Sequence, residues 1–270
     1  METRVILLGT GTPNIDPDRS GPSVAIVVGK STYIVDFGPG IVRRAMAAGI
    51  KSTSLTKAFL THLHSDHTIG YPDLIFTPAV EGRNEPLEVY GPKGLRDMTL
   101  HIQEAYKEDV RARFDGLEPA KERGYAVNAH EIQEGTIYRD DHVEVESFRV
   151  DHGSLEAYGY KFITSDKTFV ISGDTRPSSN LIEKAIDCDI LIHEVYSAEG
   201  LKERPEEWIR YHSSVHTSTY ELAEIANKTK PVLLVLYHQI FCNRTEEQLL
   251  VEISDKYEGK LVSGKDLDVF

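Results

Sequence analysis

Cysteine is nearly absent from this chain of 270 residues; only Cys188 and Cys242 occur. Their number and spacing suggest neither a disulfide framework nor a Cys-type zinc site, so a reducing cytoplasm is the simplest home. Tryptophan falls to a single residue. Basic charge is in deficit: 30 Lys and Arg face 43 Asp and Glu, a formal net charge of −13. Such a chain repels nucleic acid and anionic membrane unless a local basic patch overrides the field. Long apolar runs are missing too. The longest, Val232–Leu236, is far too short to cross a bilayer, and no membrane association is expected. The start, Met1-Glu2-Thr3-Arg4, lacks the basic opening and apolar stretch of a signal peptide. No Gly-x-Ser-x-Gly elbow is present, and neither cysteine has the setting of a nucleophile. Neither a repeat of fixed period nor a low-complexity tract is visible.

Against these absences stands Thr61-His62-Leu63-His64-Ser65-Asp66-His67. Three imidazoles and a carboxylate so close together are hard to explain without metal. His62 and His64 are two apart, so an extended backbone points both the same way. Asp66 and His67 follow a turn that can aim them at a second ion. Imidazole with carboxylate suits zinc, and also manganese or iron.

The length fits one large domain spanning 1–270. Short apolar runs that stop at turn residues predict strands at Val5–Leu8, Val24–Val28, Tyr33–Val35, Ala58–Leu60, Leu87–Tyr90, Val143–Val150, Tyr158–Thr164, Thr168–Ile171, Ile190–Ile192 and Val232–Leu236. Helical spacing appears over Gly94–Asp109, Ser179–Ile186 and Ser218–Asn227, the last opening with the capping-box pair Ser218 and Glu221. Residues Lys107–Glu134 are charged and poor in pattern. They read as an insertion or cap, within a wider cap region around 94–134, presenting a solvated face. Strands and helices in this order predict an α/β fold: two packed sheets with helices outside, a four-layer αββα sandwich.

A site for two ions needs more ligands than the first motif supplies. His152, Asp174 and His238 each follow a predicted strand, where distant segments converge. Singly each is weak evidence, since Asp174 equally suits an Asx turn. Together they complete the count for two metals with a bridging carboxylate. Gly9-Thr10-Gly11-Thr12 lacks the Gly-Lys-Ser/Thr of a phosphate loop and reads as a tight turn.

Along nearly its whole length the chain resembles the metallo-β-lactamase-fold hydrolases, and within them the ribonuclease Z-like branch. The matching segments are Leu8-Gly9-Thr10-Gly11, Asp36-Phe37-Gly38, Thr61–His67, Tyr90-Gly91-Pro92-Lys93-Gly94, His152 before Tyr158-Gly159-Tyr160, Ser172-Gly173-Asp174-Thr175-Arg176-Pro177, Leu191-Ile192-His193-Glu194 and His238. The resemblance implies that His62, His64 and His152 hold one metal and that Asp66, His67 and His238 hold the other. Asp174 would bridge them, and Asp66 would also steer or accept a proton of the bridging water. The family's late histidine, which serves the leaving group, is either His212 or His216. Thr217-Ser218 running into a capped helix favours His216, with Glu194 to orient it. His101, His130, His142 and His193 read as structural or surface residues.

The implied enzyme is a hydrolase using two divalent ions, Zn²⁺ by preference and Mn²⁺ or Fe²⁺ as alternatives. It would act on a phosphodiester or another small ester. A tRNA 3′-end endonuclease is the alternative, disfavoured by the acidic charge and by the interval 153–173, where the family usually carries a tRNA-grasping arm. A β-lactam or lactone hydrolase is a further alternative, and an inactive binding member ranks last because every expected ligand position is filled. A homodimer is compatible with this reading.

Overall fold

The computed structural model describes residues 2–270; Met1, the first residue of the expected domain, lies outside them. The described residues divide into two compact units, one of 2–9, 17–132 and 266–270, the other of 10–16 and 133–265. Each contains one complete sheet.

The first unit has six strands in sequential order: β1 (Thr3–Gly9), β2 (Ser23–Val28), β3 (Ser31–Val35), β4 (Lys57–Phe59), β5 (Leu87–Gly91) and β6 (Val127–Glu131). β1, β2 and β3 pair antiparallel, the last two joined by the two-residue turn Gly29-Lys30. β3 to β6 pair parallel, because helices intervene. Every residue of β2 is buried, which explains its uninterrupted Ser-Val-Ala-Ile-Val-Val run. Ile34, Ala25, Ala58 and Val89 share a core with Leu74 and Ile75 of the helix Tyr71–Val80. The chain's end pairs with β1, through Val5 N–H to Phe270 O at 2.9 Å and Leu267 N–H to Leu7 O at 2.6 Å.

Several elements of this unit leave no clear mark in the sequence pattern, among them β6 and the helices Ile41–Ala47 and Tyr71–Val80. Within Lys107–Glu134 the helix Lys107–Asp115 buries none of its residues, whereas Tyr125 enters the core and β6 lines the sheet edge. Arg113 bonds Asp109 at 3.0 Å and Glu118 at 2.8 Å there, a solvated ion-pair face of the kind the charge pattern predicts.

The second unit has seven strands, again in sequential order: β7 (Gly135–Arg139), β8 (Val143–His152), β9 (Leu155–Thr164), β10 (Thr168–Ile171), β11 (Ile190–Tyr196), β12 (Leu233–Ile240) and β13 (Leu261–Ser263). β7 to β10 are antiparallel and β10 to β13 parallel. Every residue of β11 is buried. The helix Ser179–Ala185 is capped by the Ser178 hydroxyl, and Thr219–Thr229 starts on the capping box expected from Ser218 and Glu221. Leu181, Leu222, Ile225, Leu249 and Ile253 bring these helices and Glu246–Ser254 into one core with Val170, Leu191 and Leu234. β7, β13 and the helices Glu206–Val215 and Glu246–Ser254 go beyond the elements that the sequence pattern predicts. Among the described residues no helix is long and apolar enough to cross a membrane.

Candidate functional site

In the first unit the site begins at the ends of β3 and β4. Asp36 leaves β3 with φ 59°, a left-handed conformation that turns its buried carboxylate back toward β4. There it accepts from Thr61 N–H at 2.8 Å and from the Thr61 hydroxyl at 2.9 Å. It also accepts from His67 Nδ1 at 2.8 Å, which leaves Nε2 as the unprotonated nitrogen of His67. The Thr61 hydroxyl, having given its proton to Asp36, accepts from His62 Nδ1 at 3.0 Å, and Nε2 of His62 is likewise the unprotonated one. That Nε2 faces Nδ1 of half-buried His64 at 3.0 Å. Asp66 and His67 lie on the short helix Ser65–Thr68, with Nε2 of His67 3.5 Å from Oδ2 of Asp66. The backbone bonds Phe37 N–H to His67 O (3.0 Å) and Gly70 N–H to Phe37 O (2.9 Å) hold this turn against the Asp36–Gly38 corner. A Cβ on Gly70 would stand 2.3 Å from the Gly38 oxygen, so only glycine allows the approach.

In the second unit the corresponding groups stand at the ends of β8, β10, β11 and β12. His152 closes β8 and donates from Nδ1 to Val215 O at 2.8 Å, again leaving Nε2 unprotonated. Asp174 follows β10, and its Oδ2 lies 3.9 Å from His152 Nε2 and 3.5 Å from His238 Nε2. His238 reaches this place through a bulge: Glu194 pairs with Tyr237 and Val195 with Gln239, so His238 is the extra residue, at φ 46°. Asp174, His216 and His238 bring ligating atoms within 4.8 Å of one another, and all three are buried.

Glu194, fully buried on β11, accepts from His216 Nδ1 at 3.0 Å. Burial pushes its carboxyl up, and the attraction of His216 works against that shift. His212, the other candidate proton donor, makes no bond to Glu194. Burial, reinforced by His216, lowers it to about 4, so it is neutral at pH 7. His193 is fully buried, with Nδ1 2.6 Å from Glu194 O, and burial lowers it too to about 4. His130 pairs with Glu88 at 2.8 Å.

Two residues with a positioning part carry little sign of it in the sequence. Asp36 stands out only as part of a motif, because its left-handed backbone leaves no mark in the residue pattern. Glu252 lies far along the chain on the helix Glu246–Ser254, yet it accepts from Ser197 Oγ at 2.6 Å, Ala198 N–H at 2.9 Å and Thr219 Oγ1 at 2.5 Å. It thereby ties together the segments that follow Glu194 and His216.

The donor chemistry fits metal. Separations of 3.5 and 3.9 Å are too long for hydrogen bonds, so the buried Asp174 carboxylate faces two imidazole nitrogens without a bond to either, a donor set suited to divalent ions. Anchoring the far nitrogen of each imidazole on a carboxylate, hydroxyl or carbonyl is the usual outer support of a metal ligand.

Comparison with known proteins agrees. The family model described as anti-Pycsar protein Apyc1 matches residues 3–248. A ribonuclease Z of Mycobacterium sp. (strain KMS) is 32% identical over 239 residues, covering 87% of this chain and 84% of that protein. The metallo-β-lactamase-fold protein YhfI from Bacillus subtilis superposes with a TM-score of 0.78 at 16% identity, covering 100% of both chains. Human tRNase Z, short form, superposes with a TM-score of 0.75 at 22% identity, covering 99% of this chain and 98% of that one. The expected α/β metallo-β-lactamase-like fold is therefore the observed one.

Proposed function

Because the chain belongs to the anti-Pycsar protein Apyc1 family, on the ribonuclease Z-like branch of the metallo-β-lactamase-fold hydrolases, we propose that this metal-dependent hydrolase cleaves a small phosphodiester with two divalent ions. The ligands are His62, His64 and His152 for one ion and Asp66, His67 and His238 for the other, with Asp174 between them. Zinc suits this mixture of imidazole and carboxylate best. The observation that carries the reading is the common tethering of His62, His67 and His152 through Nδ1, which presents Nε2 of each as a ligand.

Ions so held supply an activated water and a clamp on the developing anion of the substrate. Asp66 would steer that water or accept its proton. His216, with Nδ1–H given to Glu194, presents Nε2 toward the departing oxygen and delivers a proton there, a contribution of about 10²–10⁴ in rate. His212 is set aside as donor because it lacks the carboxylate. Free thiols at Cys188 and Cys242 suit a reducing cytoplasm.

The relatives named ribonuclease Z favour an RNA phosphodiester as the second reading. Against a tRNA stands the interval between His152 and Asp174, which holds β9, a turn and β10, with no arm. One assay pair separates the two. Metal-loaded protein is offered bis-p-nitrophenyl phosphate and a precursor tRNA at moderate salt. Cleavage of the first alone supports the small-diester reading, and accurate 3′ cleavage of the tRNA replaces it. Elemental analysis of protein purified without chelator identifies the metal.

A further inference from the structure

Glu252 is a buried carboxylate that the hydrolytic chemistry does not touch. It projects from the helix Glu246–Ser254, and its partners are hydroxyls and amides rather than a lysine or arginine. Oε1 accepts from Ser197 Oγ at 2.6 Å. Oε2 accepts from Thr219 Oγ1 at 2.5 Å, from Ala198 N–H at 2.9 Å and, at the longer distance of 3.4 Å, from Glu199 N–H. An ionised carboxylate only accepts, so it fixes where these hydroxyl protons point. Having donated to Glu252, Ser197 Oγ accepts from Gly200 N–H at 3.0 Å, and Thr219 Oγ1 accepts from Ala198 N–H at 3.1 Å. Burying a charge without a counter-ion is costly, and charge-assisted bonds from several donors offset that cost.

The segments so joined lead directly to the proton donor. Ser197 follows Tyr196, the last residue of β11, and stands three positions after Glu194. Thr219 stands three positions after His216. Between the clamp and the site the two segments run side by side: Tyr196 N–H bonds Thr217 O at 2.9 Å, and Tyr196 and Ser218 form a parallel bridge. At the site end, Glu194 Oε1 receives His216 Nδ1 at 3.0 Å.

We propose that Glu252 is a positioning residue for His216. By clamping Ser197 and Ala198 to Thr219 it sets the spacing of the two segments, and so the bond that aims His216 at the departing oxygen. The inference rests on the hydrolase reading above and adds to it a residue, on a helix outside the site, that governs proton delivery. Proton transfer requires the donor within hydrogen-bond reach, so a small displacement of His216 is felt in the rate. The consequence is a dependence on the leaving group. Loss of Glu252 should slow esters whose departing oxygen needs a proton and spare those whose departing oxygen does not.

Zinc-loaded wild type, Glu252→Ala and Glu252→Gln are compared on two diesters and by NMR of histidine-labelled protein. p-Nitrophenolate departs unaided, whereas phenolate departs reluctantly without a proton. Glu252→Ala is expected to lose about tenfold in kcat on diphenyl phosphate and less than about twofold on bis-p-nitrophenyl phosphate, with its zinc retained. Glu252→Gln keeps one accepting oxygen and should lie between. In the spectra, the Nδ1 proton of His216, identified by its loss in His216→Ala, should move or broaden in Glu252→Ala. The Nδ1 proton of His67, bonded to Asp36, should stay in place and report an intact fold. Should Glu252→Ala fold poorly, Thr219→Val removes a single donor and is read in the same way. Equal losses on both diesters, or an unmoved His216 resonance in a folded variant, overturns the clamp and leaves the hydrolase reading in place. Wild-type turnover of neither diester, with the His216 resonance still moved by Glu252→Ala, sinks the hydrolase reading and leaves the clamp standing.

Discussion

One oxygen of Glu194 accepts the Nδ1 proton of His216 at 3.0 Å, and the same Oε1 also accepts the backbone N–H groups of Thr175 at 3.0 Å and Thr217 at 3.2 Å. Glu194 thus joins the residue after Asp174 to the residue after His216. Its negative charge favours a protonated imidazole, while its backbone bonds fix where that imidazole stands.

Glu194→Gln separates these two effects. The amide oxygen can still accept from Thr175 and Thr217, but the charge opposite His216 is gone. We expect a fall in kcat of about 10²-fold with unchanged metal content, approaching the loss in His216→Ala. The double variant should be scarcely worse than either single one, because both remove the same proton transfer. Steady-state kinetics with metal analysis on the three proteins checks this. Fully additive losses would separate Glu194 from His216.

Asp174 stands 3.5 Å from His238 and 3.9 Å from His152 through the same oxygen, so its removal should not leave the metal chemistry intact. Asp174→Ala is expected to lose ions and turnover together. His216→Ala should keep its ions. Should Asp174→Ala retain two ions per chain and full rate, the ligand assignment fails; should His216→Ala shed an ion, His216 is itself a ligand.

The candidate ligands are legible because metal chemistry concentrates rare side chains, as in the run from His62 to His67. Their supports are not. Asp36 and His238 both depend on positive φ, at 59° and 46°, and the bulge that brings His238 to Asp174 is a matter of register with β11 rather than of composition. The fully buried strand β2 shows itself as an apolar run, and β11 does so only over Ile190–Ile192, before His193 and Glu194 interrupt it. The edge strands β6 and β7 have no fully buried residue, so their sequences are mixed and show no alternation. The helix Tyr71–Val80 contains Pro72 and Pro78, which read as breakers although the first falls in its opening turn, where no amide is needed. The helix Glu206–Val215 buries only Val215, so it lacks the apolar stripe that marks a core helix.

Arg83 is fully buried and bonds only to carbonyl oxygens: Gly124 (2.7 Å), Leu55 (3.0 Å), Leu74 (3.0 Å) and Ile75 (2.7 Å). Burial lowers its guanidinium to about 10, still charged at neutral pH. Arg83→Met leaves those oxygens without their donor and should cost on the order of 3–5 kcal/mol. Arg83→Lys keeps a charge but cannot span the same fork, so an intermediate loss is expected. Urea unfolding followed by circular dichroism measures both. A midpoint unchanged in Arg83→Met would mean that the oxygens find other partners.

His193 makes an acid-sensitive term of the fold. Burial holds it down to about 4 from 6.5, with no side chain bonded at its Nε2. Between those values the unfolded chain takes up a proton that the folded chain refuses. Unfolding is therefore favoured as pH falls through this window, and the His193 contribution is complete above about 6.5 and spent below about 4. The loss amounts to a few kcal/mol, on the order set by 1.4 kcal/mol per unit. His193→Leu cannot titrate, so its stability should fall less than wild type between pH 7 and pH 4.5. Carboxylates and metal ligands titrate in both proteins, which makes the difference between the two curves the measure of His193. Parallel curves over that range would show that His193 keeps its ordinary affinity for protons in the folded chain.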